Sequence, residues 1–78
     1  MAKAFVFINV NAGSEAEVVN KLRKLSEVKE AYFVYGVYDV VAKIETESVE
    51  HLKEVLTQKI RKLDDIRSTL TTIISEDK

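Results

Sequence analysis

The chain has no cysteine, which excludes disulfide staples and every thiolate metal site. It has a single histidine, His51, next to Glu50 and close to Glu54 in a charged stretch. A metal centre needs several convergent ligands, so no metal site is expected and His51 reads as a surface residue. Neither a Ser/His/Asp nor a Cys/His set can be assembled from what is present; no catalytic residue and no cofactor are expected. A basic excess is missing as well: 12 Lys and Arg against 13 Asp and Glu leave a formal charge of −1. Proteins that grip nucleic acid through its phosphates usually carry clustered basic side chains beyond their acids, so direct DNA binding is not expected. The longest apolar run, Ala4 to Val10, is far short of the roughly 20 residues that a bilayer span needs, and the start of the chain lacks the charged region and cleavage site of a signal peptide. A soluble cytoplasmic protein is expected.

Length sets the next bound. A second domain would need roughly 50 residues of its own, so residues 1–78 are read as one domain. A core of this size seldom supplies more than about 3 to 5 kcal/mol, and small domains usually add a staple. With disulfides and thiolate metals excluded, association between copies is the staple that remains.

Ala4-Phe5-Val6-Phe7-Ile8-Asn9-Val10 is β-branched and aromatic, which predicts a strand. It is apolar on both faces, with Ala4, Val6, Ile8 and Val10 on one and Phe5 and Phe7 on the other. Asn11-Ala12-Gly13 reads as a turn, and Ser14 followed by Glu17 has the form of a capping box that opens a helix. Val18, Val19, Leu22 and Leu25 fall on one face of that helix, and Glu15, Lys21, Arg23 and Lys24 suit its wet side. Glu30 to Tyr35 and Val40 to Glu45 read as two strands of a hairpin joined by a tight connection at Gly36. Ser48 opens a second helix with Val49, Leu52, Val55, Leu56, Ile60 and Leu63 on its apolar stripe. Asp64-Asp65 marks a turn of solvated acids rather than a catalytic carboxylate pair. Ile66 to Ser75 alternates as a last strand, with Ile66, Leu70 and Ile74 in one set and Thr69, Thr71 and Ile73 in the other; Glu76-Asp77-Lys78 is expected to fray.

The order β-α-β-β-α-β predicts the ferredoxin-like α+β arrangement, a four-stranded antiparallel sheet with two helices on one face. The other face is left bare, carrying either Phe5 and Phe7 or the set of Val6 and Ile8. An apolar sheet face in water is a docking surface, and a second copy packed sheet to sheet would supply both cover and staple.

Tyr32, Tyr35 and Tyr38 with Phe33 form the densest aromatic stretch. Split βαβ domains that bind RNA stack bases on sheet aromatics, but the basic residues interleaved with glycine that accompany them are missing, so Tyr32 and Phe33 are expected to pack in the hairpin. Gly36-Val37-Tyr38-Asp39 admits two readings. It is a turn in which glycine bends the chain and Asp39 satisfies its own backbone, or a loop whose amides, phenol and carboxylate converge on a ligand that bears an ammonium and a carboxylate.

The segment Val28 to Ile44, centred on Tyr35-Gly36-Val37-Tyr38-Asp39-Val40-Val41-Ala42-Lys43-Ile44, resembles the valine, aromatic, Gly-x-Tyr/Phe-Asp and aliphatic-strand pattern of the Lrp/AsnC effector domain, the domain for regulation of amino acid metabolism. Ile60 to Ile74 is similar to that family's leucine, turn, valine, Thr-x-Thr and aliphatic strand. The likeness covers nearly the whole chain. Asp64-Asp65 stands where the family usually has Pro-Gly, and the family's N-terminal helix-turn-helix is missing. The resemblance implies a domain that pairs through its sheets, gathers as dimers into an octamer or similar ring, and binds an amino-acid effector where subunits meet, acting alone or with full-length regulators. Its site residues carry over to Gly36, Tyr38 and Asp39, with Thr69 and Thr71 from a different subunit. Loop amides would hold an α-carboxylate, Asp39 would accept from the ammonium, and threonine hydroxyls would do either. The alternative on the same fold is a small dimeric enzyme of the oxygenase or isomerase type, which needs a titratable group inside a pocket between sheet and helices.

Overall fold

In the computed structural model, which describes residues 1–74, the elements follow the expected order: β1 (Ala2–Val10), α1 (Glu15–Arg23), β2 (Val28–Phe33), β3 (Val40–Thr46), α2 (Val49–Val55) and β4 (Ile66–Ile74). Leu56–Ile60 continues α2 as a π-helical turn. The strands form one antiparallel sheet in the order β2-β3-β1-β4, which is the ferredoxin-like topology. The expectations that the last strand reaches Ser75 and that Glu76 to Lys78 fray lie outside the described residues.

Register decides which face of β1 the helices cover. Ala2, Ala4, Val6, Ile8 and Val10 are buried, and the first four pair across β3 with Thr46, Ile44, Ala42 and Val40. Phe5 lies opposite Lys43 and Lys3 opposite Glu45, while Glu30 of β2 adjoins Lys43. Covering the phenylalanine face with helices would bury these charges, which is costly without full pairing; the helices therefore take the Val6 and Ile8 face. The open face holds Phe5, Phe7, Val41, Tyr32 and Leu70 side by side, with Phe5 37% and Leu70 50% exposed. Lys43 and Glu45 pair at 3.8 Å at one end of it.

The helices form as the pattern predicts, with corrections at their ends. Val18, Val19 and Leu22 of α1 are buried, but Ser14 makes no side-chain cap hydrogen bond. Its backbone (ψ 5°) is outside the extended region that aims a capping hydroxyl at the first turn, and Glu17 instead pairs with Lys21 at 3.6 Å. At α2 the cap is real: the His51 N–H donates to Ser48 Oγ at 3.0 Å. Val49, assigned to the apolar stripe, is 46% exposed; it is the first residue of α2, ahead of the buried stripe that begins at Leu52. Leu52, Leu56 and Ile60 are all buried although four-residue steps outrun the 3.6-residue turn; the wider π turn keeps them in line. The π turn closes with the Arg61 N–H donating to the Leu56 carbonyl at 3.0 Å.

Two further corrections concern strand faces. The β1–β4 register shifts between Asn9 and Val10, so that Ser68 faces Asn9 while Ile66 faces Val10. This β-bulge turns Ile66 toward the core, away from Leu70 and Ile74, the set expected for it. Tyr32 and Phe33, expected to pack in the hairpin, are half exposed; they occupy an edge strand, and the Tyr32 hydroxyl donates to Glu30 Oε1 at 2.9 Å. Asp64-Asp65 is a turn as expected. Asp65 has a φ of 73°, a left-handed conformation that Asp tolerates better than most residues, and its carbonyl accepts from the Asn11 N–H at 2.9 Å.

Glu27, between α1 and β2, ties that corner to the end of the second helix. Its Oε2 accepts from Lys59 Nζ at 2.9 Å and lies 3.7 Å from His51 Nε2. The hydrogen bond from Lys59, with help from its own backbone N–H, holds the Glu27 carboxyl below its ordinary value of 4.5 against the opposing effect of burial. A carboxyl depressed in the folded state contributes stability that is present above about pH 4.5 and is lost as pH falls through the folded value. Urea denaturation over a pH series should show this acid loss in the wild type and a shallower one in Glu27→Gln; equal slopes would remove Glu27 as a source.

Candidate functional site

The connection between β2 and β3 is not the tight turn that the pattern suggests but the longer segment 34–39. The reason lies in Asp39. The Val34 N–H donates to the Asp39 carbonyl at 3.0 Å, closing the hairpin, but the Asp39 N–H turns away to the Ile8 carbonyl of β1 at 3.0 Å. The Val10 N–H then donates to Asp39 Oδ2 at 3.0 Å. β1 thus runs past the end of β3, and the carboxylate satisfies a backbone donor that the ladder would otherwise leave unpaired. Gly36 has a φ of 157°, which L side chains rarely adopt, yet a Cβ there would meet nothing within 4 Å. Its backbone angle alone, not close approach, selects glycine.

Tyr38 folds back over the open face, its ring 5.6 Å from that of Phe7 at an interplanar angle of 44°. Tyr35 and Val37 project from the loop and are exposed. The loop separates two clefts. One, of about 430 Å³, is lined by Glu15, Phe33, Val34, Tyr35 and Asp39. The other, of about 390 Å³, is lined by Asn9, Val37, Asp39, Arg67 and Ser68. Asp39 is common to both. Either volume suits a small metabolite, being within the size range of ordinary ligand pockets.

Of the residues expected at the site, Gly36, Tyr38 and Asp39 lie together in this loop, but only Asp39 lines the two clefts. Thr69 and Thr71 do not join them within one chain. They pair with Ile8 and Val6, which places them on the helix side of β4, with β1 between them and β3, and neither lines the two clefts. Because the Ile8 carbonyl is spent on Asp39, antiparallel alternation aims the backbone groups of Phe7 at β4 and leaves those of Thr69 and Thr71 facing outward from the sheet edge. Among the described residues the Thr71 hydroxyl oxygen is buried without a hydrogen-bond partner. Asn9, Arg67 and Ser68 were not legible as neighbours of the loop, because a bulge, which alternation does not reveal, brings them there.

Between the sheet and the helices, the buried side chains of the described residues are aliphatic apart from Thr46, whose hydroxyl donates to the Ser48 carbonyl at 2.7 Å. Among the described residues no group of three His, Cys, Asp or Glu is placed to hold a metal ion, and no helix is long and apolar enough to cross a membrane. A sheet-end loop whose carboxylate borders two clefts, over a core in which the described buried side chains carry no acid or base, makes this a small α+β domain with a candidate binding site at one end of its sheet. The chain belongs to the Lrp/AsnC ligand binding domain family, whose model matches residues 3–77. It is 38% identical over 71 residues to the HTH-type transcriptional regulator FL11 of Pyrococcus furiosus, covering 91% of this chain and 46% of that protein. It is 40% identical over 57 residues to the regulatory protein AsnC of Escherichia coli K12, covering 73% of this chain and 38% of that one. The chain therefore spans about half the length of FL11 and less of AsnC. The crystal structure of FFRP-DM1 superposes with a TM-score of 0.92 at 46% identity, covering 95% of this chain and 99% of that one.

Asp39 carries a structural hydrogen bond in addition to any ligand contact. Asp39→Ala should cost about 1 to 3 kcal/mol of stability through the orphaned Val10 N–H, whereas Asp39→Asn, which keeps an acceptor, should cost less. Chemical denaturation of both variants checks this; equal losses would mean that the charge, not the acceptor, holds the loop.

Proposed function

We propose that this domain binds a free amino acid as its effector, using Gly36, Tyr38 and Asp39 of one subunit with Thr69 and Thr71 of another, in an assembly built from homodimers. The observation that carries this reading is the Asp39 carboxylate, anchored by Val10 and lining two clefts beside a loop bent at Gly36. An ammonium leaving water needs a fixed charged partner, and Asp39 offers one. Tyr38 is held against Phe7 on the open face, beside the loop rather than in the lining of either cleft. The outward edge of β4 and the partnerless Thr71 hydroxyl suit a ligand presented by a neighbouring subunit.

The homodimer joins open sheet to open sheet, burying Phe5, Phe7, Val41, Tyr32 and Leu70, and dimers gather into an octamer or similar ring. The relatives FL11 and AsnC are regulators. We extend to this domain the role of effector sensor in transcription, exercised in the cytoplasm through full-length regulators rather than by its own contact with DNA. We prefer binding to the enzyme alternative because, among the described residues, the sheet-to-helix interior is aliphatic apart from Thr46 and Glu27 at its border is engaged by Lys59.

Calorimetry with a panel of free amino acids is the direct test, and a protein that binds none of them would end the sensor reading. Thr71→Val, which keeps the shape and removes the hydroxyl, should weaken binding by about 1 kcal/mol without changing the fold. Phe7→Glu places a charge in the centre of the open face and should lower the solution mass toward that of one 8.9 kDa chain by light scattering. A folded Phe7→Glu variant with the wild-type mass would overturn the sheet-to-sheet dimer.

A further inference from the structure

We infer that Arg67 is a ligand-binding residue, holding the carboxylate of an α-amino acid whose ammonium is held by Asp39 across the same cleft. The inference rests on the amino-acid reading of the loop and adds to it a residue, and a reason for recognising both charges of the ligand within one subunit.

Three observations carry it. Arg67 is the extra residue of the β4 bulge: Ser68 is paired with Asn9 and Ile66 with Val10, leaving Arg67 without a counterpart on β1. Bulges re-aim a side chain that regular alternation would send elsewhere and are common beside functional sites. Here the re-aimed side chain lines the cleft of about 390 Å³ together with Asp39.

The second observation is that these opposite charges share a cleft without touching. Among the described residues the Arg67 side chain forms no ion pair or hydrogen bond; the ion pairs engage other acids and bases. Asp39 is pinned by the Val10 N–H and is not free to swing across to the guanidinium. What remains is a fixed anion and an unpaired cation facing one ligand-sized space. A zwitterion that carries an ammonium and a carboxylate on one carbon complements both, and a guanidinium fork matches a carboxylate in a bidentate manner.

The third observation is the polar wall beside Arg67. Asn9 Nδ2 donates to Ser68 Oγ at 3.3 Å. A hydroxyl that accepts there keeps its own hydrogen for a second partner, so Ser68 can donate to the carboxylate that Arg67 holds, while Asp39 keeps unshared acceptor positions for the ammonium.

The test is calorimetry on the protein with the amino acid that binds best among the free amino acids, its decarboxylated amine and its 2-keto acid. The wild type should bind the amino acid and bind each analogue roughly 10- to 100-fold more weakly, the effect of losing a hydrogen bond to a charged group. Arg67→Met, which keeps an unbranched stem, should lose a similar factor for the amino acid, with Arg67→Lys between the two. Removing the ligand's carboxylate should then cost the Arg67→Met variant clearly less than it costs the wild type, leaving only the smaller contribution of Ser68, a coupling that a merely structural role for Arg67 would not produce. Solution mass and thermal unfolding should be unchanged in both variants. If the wild type binds an amino acid and Arg67→Met binds it equally well, or if the amine binds the wild type as tightly as the amino acid, the role of Arg67 is overturned and the sensor reading stands. If the wild type binds no amino acid at all, both fall.

Discussion

Phe5 faces Lys43, and Lys3 faces Glu45, across the central pair of strands β1 and β3, and the rest of the molecule is arranged around that register. It commits one side of the sheet to charged neighbours and forces the helices onto the aliphatic side, where Ala4, Val6, Ile8, Ala42 and Ile44 are buried. It also fixes the phase of β4 through β1, and so sends Leu70 to the open face and Thr69 and Thr71 to the other. A slip by one residue would exchange the faces of a whole strand, burying Lys43 and exposing Ile44. Phe5 and Phe7 on the open face follow from this constraint: they are the large apolar groups of β1 that the charged register keeps out of the core.

Asp39 links that sheet to the site. It ends β3 by turning its backbone to Ile8 and its side chain to Val10, which holds the loop in shape before any ligand arrives. A carboxylate held by a packed sheet end is better placed for recognition than one on a free loop, since little ordering cost remains at the moment of binding. In the proposed site, ligand contact and local stability would therefore depend on one side chain. A ligand that pulled Asp39 away would leave the Val10 N–H without its partner.

Two irregularities share one physical logic. In the second helix the π turn brings Leu56 and Ile60 onto the buried face with Leu52; in β4 the bulge brings Ile66 to the core beside Val10. In each case an apolar residue slightly out of phase with the regular repeat is recovered by a local change in winding, because burying it is worth more than the hydrogen-bond regularity lost. The bulge has a second effect, since the residue it leaves unopposed is Arg67, next to the loop. Asp65 accommodates its turn in a related way, accepting a left-handed conformation where a glycine would be at ease.

The sequence by itself determined the element order, the buried helix faces of Val18, Val19 and Leu22 and of Leu52, Val55, Leu56 and Ile60, and the open apolar sheet face, because these follow from local periodicity and residue type; the candidacy of Gly36, Tyr38 and Asp39 came instead from the family resemblance, since residue type alone left the loop open to a plain turn. Only the tertiary structure decided between Phe5 with Phe7 and Val6 with Ile8 as the open set, since that choice depends on which charges of β3 fall opposite β1. It also separated Thr69 and Thr71 from the loop and brought Asn9, Arg67 and Ser68 to it, because neighbours across a sheet are set by register and a bulge, which leave no periodic trace in the chain. The structural role of Asp39 was hidden for the same reason: its partner, the Val10 N–H, is a backbone group far away in sequence, and a donor of that kind has no residue type to read.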